Sequence, residues 1–393
     1  MLKYTLPFLL IVLLGSCNGS KQAEQNESRK TEIDVHAEPN KQSGLSQNKT
    51  NLVTTTSKQK SKPNNQLRAA VKENGSWDYI RTDGSYITKQ KFTIADNYTC
   101  GKACVSKTGE RHGGLLYGAT YYFIDKNGKP GKLKFYDLAR YHEDRAVVVD
   151  TKNKMALIDL DENFIVSGFD QIGRISEGLA YAHKGNITGY INKEGQWAFQ
   201  VEQGVILSQF QEGLAMAKKD GKAGYLNKKG EWQIEPTWNI ATVFSDGYAI
   251  VAKDSVYRII DKNGTVTAEP DGDYFGGFTD GLCAMRKNGK WGYIDNKGSI
   301  VIDIIYDACW MFSEGYAAVW VGDNIGFIDT TGKMIIEPKF KYAFNFKNGL
   351  AMVASDKTLG YIDISGEFVI PPRYERVHYF EDIDETNLKF KPQ

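Results

Sequence analysis

The stretch Lys290–Gly298, KWGYIDNKG, decides the fold because the chain keeps rewriting it. TGYINKEG ends at Gly195, AGYLNKKG at Gly230, IGFIDTTG at Gly332 and LGYIDISG at Gly366. Aligned on the central residue of the phrase, the copies fall at Tyr79, Phe123, Leu157, Tyr190, Tyr225, Ile259, Tyr293, Phe327 and Tyr361. The steps between them are 44, 34, 33, 35, 34, 34, 34 and 34 residues. Two more markers hold the register. Gly178, Gly213, Gly247, Gly281, Gly315 and Gly349 each stand twelve residues before a central residue. Pro236, Pro270, Pro338 and Pro372 each stand eleven after one. A period in this range marks stacked supersecondary units.

Each unit reads as three strands. Apolar runs such as Leu282–Met285, Tyr316–Val319 and Leu350–Val353 follow the marker Gly, as in strands covered on both faces. A turn such as Lys287-Asn288-Gly289 leads to the KWGYID strand. Its Asp or Asn (Asp125, Asp159, Asn192, Asn227, Asp261, Asp295, Asp329, Asp363) opens a tight turn that a Gly three residues on usually completes. Rows of carboxylates invite a catalytic reading. Asn replaces Asp freely between units, however, and general acid–base chemistry would not survive that exchange. The third strand carries pairs such as Val301-Ile302 and Ile335-Ile336. A loop follows, with an aromatic anchor (Trp238, Tyr306, Phe340, Tyr374). A Phe three residues before the next Gly (Phe210, Phe244, Phe278, Phe312, Phe346) is a natural plug between successive sheets.

This pattern resembles the WG repeat family, named for the Trp-Gly of phrases such as Trp291-Gly292. The resemblance runs from about Leu67 to the C-terminus. Its first three units depart from it, with Asp78, Tyr122 and Ala156 in place of the Gly, and only Trp77 and Trp291 keep the Trp. It implies an architecture and no single activity. The expectation is an all-β tandem array of about nine three-stranded units of roughly 34 residues, open and solenoid-like. A closed, propeller-like ring is the alternative. Phe380 aligns with Phe346, and Leu388–Phe390 reads as an extra first strand, which suits either a cap or a ring closure.

The N-terminus reads as an address. Lys3 and the apolar run Tyr4–Leu14 precede Leu14-Gly15-Ser16-Cys17, which resembles a bacterial lipobox. Residues 1–16 are then a lipoprotein signal peptide, Cys17 the lipidated residue, and 17–66 a tether. Residues 18–66 contain no Phe, Trp or Tyr and cannot offset chain entropy by burial. As a coil of about 50 residues they would span roughly 40 Å. Residues 67–393 form the repeat domain. Asn18 after the cysteine favours a lipid-anchored place at the outer membrane.

Charge balance over 393 residues is +1, which gives no general pull toward nucleic acid. Metal-ligand spacings, nucleophile elbows and phosphate loops do not stand out, so no cofactor, no metal and no enzymatic activity are expected. Cys100 and Cys104 flank Gly-Lys-Ala, and an oxidising envelope leaves both a disulfide and two thiols open. Cys283 occupies a recurrent Ala position and reads as a buried thiol. Trp310 and Trp320 fit no recurrent position. With His112 in the long first insertion they are the candidate binding surface. The expected function is a non-enzymatic scaffold for protein–protein interaction in the cell envelope, with an envelope protein as partner. A glycan or cell-wall binding module is the second reading, and a hydrolase around the Asn97–Tyr121 insertion the third.

Overall fold

The computed structural model describes residues 66–383, apart from residues 89, 113, 114, 151 and 356 and the side chains of 110–117. The signal peptide, Cys17, the tether through residue 65 and the strand expected at Leu388–Phe390 lie outside the described residues. The described residues fall within the compact unit Lys60–Gln393 and contain no helix.

The array is closed rather than open. Nine antiparallel sheets follow one another as the blades of a β-propeller. The first blade is completed from the other end of the chain. Leu67–Glu73 pairs on one side with Ser76–Ile80 and on the other with Arg376–Val377 and Glu381–Asp382. Val71 faces Val377, and Leu67 faces Asp382. The open expectation failed because closure depends on where the two ends meet, and no period along the chain encodes that.

Each regular blade has four strands, not three. In the fifth they are Ile206–Gln211, Leu214–Lys219, Lys222–Asn227 and Trp232–Trp238, in simple meander order. The strand missed from the sequence is the first, read there as a connecting loop. It shrinks to two residues in several blades, as at Ile240–Ala241 and Ala308–Cys309, too short to show alternation. Cross-blade contacts gather on these first strands. Leu179–Lys184 packs on Ile206–Gln211, and Tyr316–Val321 on Tyr342–Lys347. Last strands such as Ile300–Tyr306 alternate between exposed and covered positions. The first strands therefore stand nearest the axis and the last at the rim. The long step of 44 residues is absorbed within the second blade. A small hairpin, Glu110–His112 with Leu115–Tyr117, sits there between Lys102–Ser106 and Tyr121–Asp125.

Three devices join blade to blade. The first is the aromatic plug. Where the central residue is aromatic, its ring meets a ring on or just after the first strand of the next blade, as in Tyr190–Phe210 at 4.8 Å, Tyr293–Phe312 at 4.7 Å and Phe327–Phe346 at 4.9 Å. Tyr361–Phe380 at 4.8 Å repeats the pair across the closure. Second, where the central residue is Tyr, its buried hydroxyl donates to a carbonyl of the neighbouring blade. Tyr225 reaches Thr242 at 2.7 Å, Tyr293 reaches Trp310 at 2.6 Å and Tyr361 reaches His378 at 2.6 Å. A hydroxyl inside such a core needs a partner.

The third device was hidden in the marker Gly. The residue before it is acidic in most units, and its carboxylate accepts the N–H of the equivalent Gly one blade on. Glu177 holds Gly213, Glu212 holds Gly247 and Asp246 holds Gly281, each at 2.9 Å. Asp280 holds Gly315 at 2.8 Å, and Glu314 holds Gly349 at 2.9 Å. Each clasp contributes on the order of 1 kcal/mol. These acids adopt positive φ, 55° at Glu177 and 51° at Asp246, which turns the carboxylate toward the neighbour.

The Asx turns are as the sequence predicts. Asp295 Oδ1 accepts the N–H of Lys297 at 2.9 Å and of Ser299 at 2.8 Å, while Gly298 closes the turn at φ 76°. Asn227 makes the same pair of bonds to Lys229 and Glu231. Asp295→Asn is therefore expected to leave stability within about 0.5 kcal/mol of the parent, and Asp295→Ala to cost about 1 kcal/mol. Urea unfolding measures both, and equal losses for Asn and Ala would refute the turn role.

Candidate functional site

The repeated parts are occupied with holding the ring together, so a site must lie where the copies differ. One such place is the first strands around the axis. Thirty-four-residue steps carry the same position through Arg140, Arg174, Ser208, Thr242, Gly276, Trp310, Phe344 and His378. In the second blade Asp96 takes this place, its carbonyl accepting the Tyr79 hydroxyl, so the series is charged at one side of the ring and aromatic at the other.

Trp310 and Trp320 do come together, in the eighth blade, with ring centroids 6.0 Å apart and nearly edge to face. Trp310 stacks on Phe344 at 6.3 Å and donates its Nε1–H to the Ala343 carbonyl at 3.2 Å. Both indoles are half-buried against the core shared by the eighth and ninth blades. Phe344 and Met311, 38% and 45% exposed, carry the patch outward. His112 belongs to the second blade, on the small hairpin, and does not join them; its side chain is among those not described.

Of the two states left open for the cysteine pair, the structure has the thiols: Cys100 and Cys104 are free. They do not lie in an inter-unit insertion. Cys100 and Gly101 form the two-residue turn between Ile94–Thr99 and Lys102–Ser106, and Cys104 pairs with Phe123 in the strand beyond. Burial pushes the Cys104 thiol up to about 12 and raises Cys100 as well. Cys283 is buried as expected and also pushed up to about 12. These are poor nucleophiles. Among the described residues, no group of three His, Cys, Asp or Glu side chains is placed to hold a metal ion.

The cationic side was not singled out from sequence. A cavity of about 280 Å³ opens there between the third and fourth blades. Arg145, Val147 and Val149 face it from one side of the strand Arg145–Val149, since alternate residues share a face. Met155, Leu138, Ala139 and Ile175 add apolar wall, and Arg140, Arg174, His142 and Asp137 add polar groups. The cavity has a packing cause. At this interface the plug is aliphatic on both sides, Leu157 with Ile175, where neighbouring interfaces use Phe123–Tyr141 and Tyr190–Phe210. Smaller plugs leave room.

The charges are unequally committed. Arg140 forks onto Asp96, donating from Nε to Oδ2 and from Nη2 to Oδ1 at 2.7 Å. Arg145 pairs with Asp144 at 2.9 Å and donates to the Lys193 carbonyl at 2.9 Å. Arg174 donates only to the Gln209 amide oxygen, and no carboxylate among the described residues pairs with it. Burial, helped by Arg174 and Arg140, pushes His142 down to about 4, so it is neutral at pH 7. A signal for this cluster was available: Arg140 and Arg174 share one register, and Leu157 is, with Ile259, one of two aliphatic central residues.

The geometry can now be set against known proteins. Residues 189–382 match the WG containing repeat. The matched segments are 189–222, 224–257, 257–291, 291–324, 325–357 and 360–382. The WG segments begin inside the fourth blade and run to the closing strand, so the Arg cavity lies N-terminal to them. The match also explains the Gly of the WG pair. A Cβ at Gly224 or Gly292 would stand 2.5 Å from the carbonyl oxygen of Ile234 or Ile302, and one at Gly326 would stand 2.6 Å from that of Ile336. In these three blades the fourth strand is bulged against that point. No curated protein matches the chain. Among solved structures, a eukaryotic initiation factor is 11% identical, with a TM-score of 0.55, covering 80% of this chain and 98% of that one. BamB from Moraxella catarrhalis is also 11% identical, with a TM-score of 0.36, covering 77% of this chain and 93% of that one. At such identity the initiation-factor likeness concerns the fold alone.

Proposed function

We propose that the chain is a non-enzymatic binding scaffold of the cell envelope, anchored through Cys17 and engaging a protein partner on the axial face of its propeller. The observation that carries this reading is the division of labour among the repeats. Plugs, hydroxyl bonds, carboxylate clasps and Asx turns recur because they hold blades together. The axial position changes from Arg140 and Arg174 to Trp310 and Phe344, which varies charge and aromaticity around one rigid ring. Rigid scaffolds with variable, partly aromatic surfaces suit protein recognition.

Photo-crosslinking in the source cell tests it. A crosslinking residue at Phe344 or Ser208 is expected to trap one discrete protein, whereas one at Lys297 on an Asx turn gives none. A glycan adduct at Phe344, or no adduct from any axial position, overturns the reading. Loss of labelled palmitate in Cys17→Ser checks the anchor separately.

A further inference from the structure

We infer that the cavity between the third and fourth blades is a binding site for a carboxylate carried beside an apolar group, with Arg174 as its anchor. This rests on the protein-binding reading for its biological source, but the chemistry stands on the cavity itself.

The residues select this ligand by three steps. First, the wall is charged on one side only. Arg140, Arg145 and Arg174 face the space against a single lining carboxylate, Asp137, whose Oδ1 accepts the N–H of Leu138 at 2.7 Å. Second, two of the three guanidinium groups already hold their own acids, Asp96 and Asp144. Arg174 is left with a planar donor fork and one neutral acceptor, Gln209. One free fork matches one planar carboxylate in two parallel bonds. A phosphate dianion would ask for more free donors than the cavity offers, and Asp137 would repel its second charge. Third, Val147, Val149, Met155, Leu138 and Ile175 supply an apolar floor beside the fork. A bare ion would leave that floor in water. A side chain of leucine size beside the carboxylate covers it.

Two sources carry this chemistry, the C-terminus of a protein ending in an apolar residue and a free apolar acid. Both enter without rearranging the ring, because the cavity exists already between the third and fourth blades. Arg174 lies outside the plugs, clasps and hydroxyl bonds, but its bond to Gln209 reaches the fifth blade, so each Arg174 variant is first required to keep the parent's urea midpoint.

Titration calorimetry on the full chain tests the site with N-acetyl-leucine, N-acetyl-leucinamide, isovalerate and inorganic phosphate. The acid is expected to bind, the neutral amide at least tenfold more weakly and phosphate more weakly still, as charge-assisted bonds to one fork require. Arg174→Gln is expected to lose roughly tenfold in affinity for N-acetyl-leucine, with Arg174→Lys between it and the parent. Binding of N-acetyl-leucine in preference to isovalerate identifies a peptide terminus as the source, and the reverse identifies a free acid. Equal binding of acid and amide, tighter binding of phosphate, or unchanged affinity in Arg174→Gln overturns the site. The crosslinking result is independent: a missing partner with a working site removes the scaffold reading alone, and a trapped partner with no carboxylate binding removes the site alone.

Discussion

Ending the chain after Glu375 is expected to unfold the first and last blades together and to abolish the cooperative transition of the whole ring. The removed segment supplies Arg376–Val377 and Glu381–Asp382 to the sheet that Leu67–Glu73 begins. It also supplies the His378 N–H to the Ala70 carbonyl at 2.9 Å and the His378 carbonyl to the Tyr361 hydroxyl. Phe380, 1% exposed, fills the plug against Tyr361, and Ile383 packs with Tyr98. Without them Leu67, Ala69 and Val71 lose their cover, and a sheet edge is left open to aggregation. Phe380→Ala isolates the plug and should cost about 3–5 kcal/mol. In an open array such losses would stay at the last unit, since each unit contacts only its neighbours. In the ring they reach the other end of the sequence. Urea unfolding and limited proteolysis around Leu67–Glu73 read the difference. A truncated chain that keeps the parent's midpoint and leaves that segment protected would argue for independent units.

Gly292→Ala should be among the most damaging single-methyl changes in the protein. The added Cβ would sit 2.5 Å from the Ile302 carbonyl oxygen and 2.7 Å from that of Asp303, both backbone atoms of the neighbouring strand. A side chain could swing away; Ile300–Tyr306 cannot, because its bulged register is fixed by Tyr293↔Ile302 and Trp291↔Tyr306. The expected cost is about 3 kcal/mol, toward the upper end for overpacking. Gly277→Ala is the control. Its Cβ would meet only the Met311 sulfur, at 3.7 Å, so the change should be near neutral. The midpoints of the two variants in denaturant, compared with the parent, decide the matter. If Gly292→Ala matches Gly277→Ala, the close approach has no energetic weight.

The same comparison shows why some units drift from the WG phrase. At the equivalent position stand Asp78, Tyr122, Ala156 and, in the sixth blade, Arg258. In the first two of those blades the rim is reduced to isolated bridges such as Trp77↔Phe92 and Tyr121↔Phe135. In those two blades no bulged strand presses against the position, and a Cβ is tolerated. In the third, the outer strand Phe164–Phe169 shifts register on both sides of Leu157, as at Tyr293, yet Ala156 is accepted, so a bulged partner does not by itself demand Gly.

The plugs were legible from sequence because Phe210, Phe244, Phe312 and Phe346 recur at a fixed distance from a Gly. The Asx turns were legible because Asp295 and Asn227 do the same work through one side-chain oxygen. The carboxylate clasps were visible as letters, in SEGLA and SDGYA, but not as bonds. Glu177 and Gly213 lie 36 residues apart and meet only when blades stack. The first strand of each blade was missed for a related reason. Two residues such as Ala308–Cys309 carry no period of their own and are strands only because Trp320 and Val319 lie opposite them.

Local chemistry written in the sequence set the unit: its length, its turns, its buried rings and the Gly that admits a bulged neighbour. Closure into nine blades, the gathering of the axial series around one axis and the cavity between the third and fourth blades were decided by tertiary structure. A repeat specifies how each sheet meets the next. The accumulated rotation, and the place where Leu67–Glu73 finds Arg376–Val377, are properties of all the interfaces together.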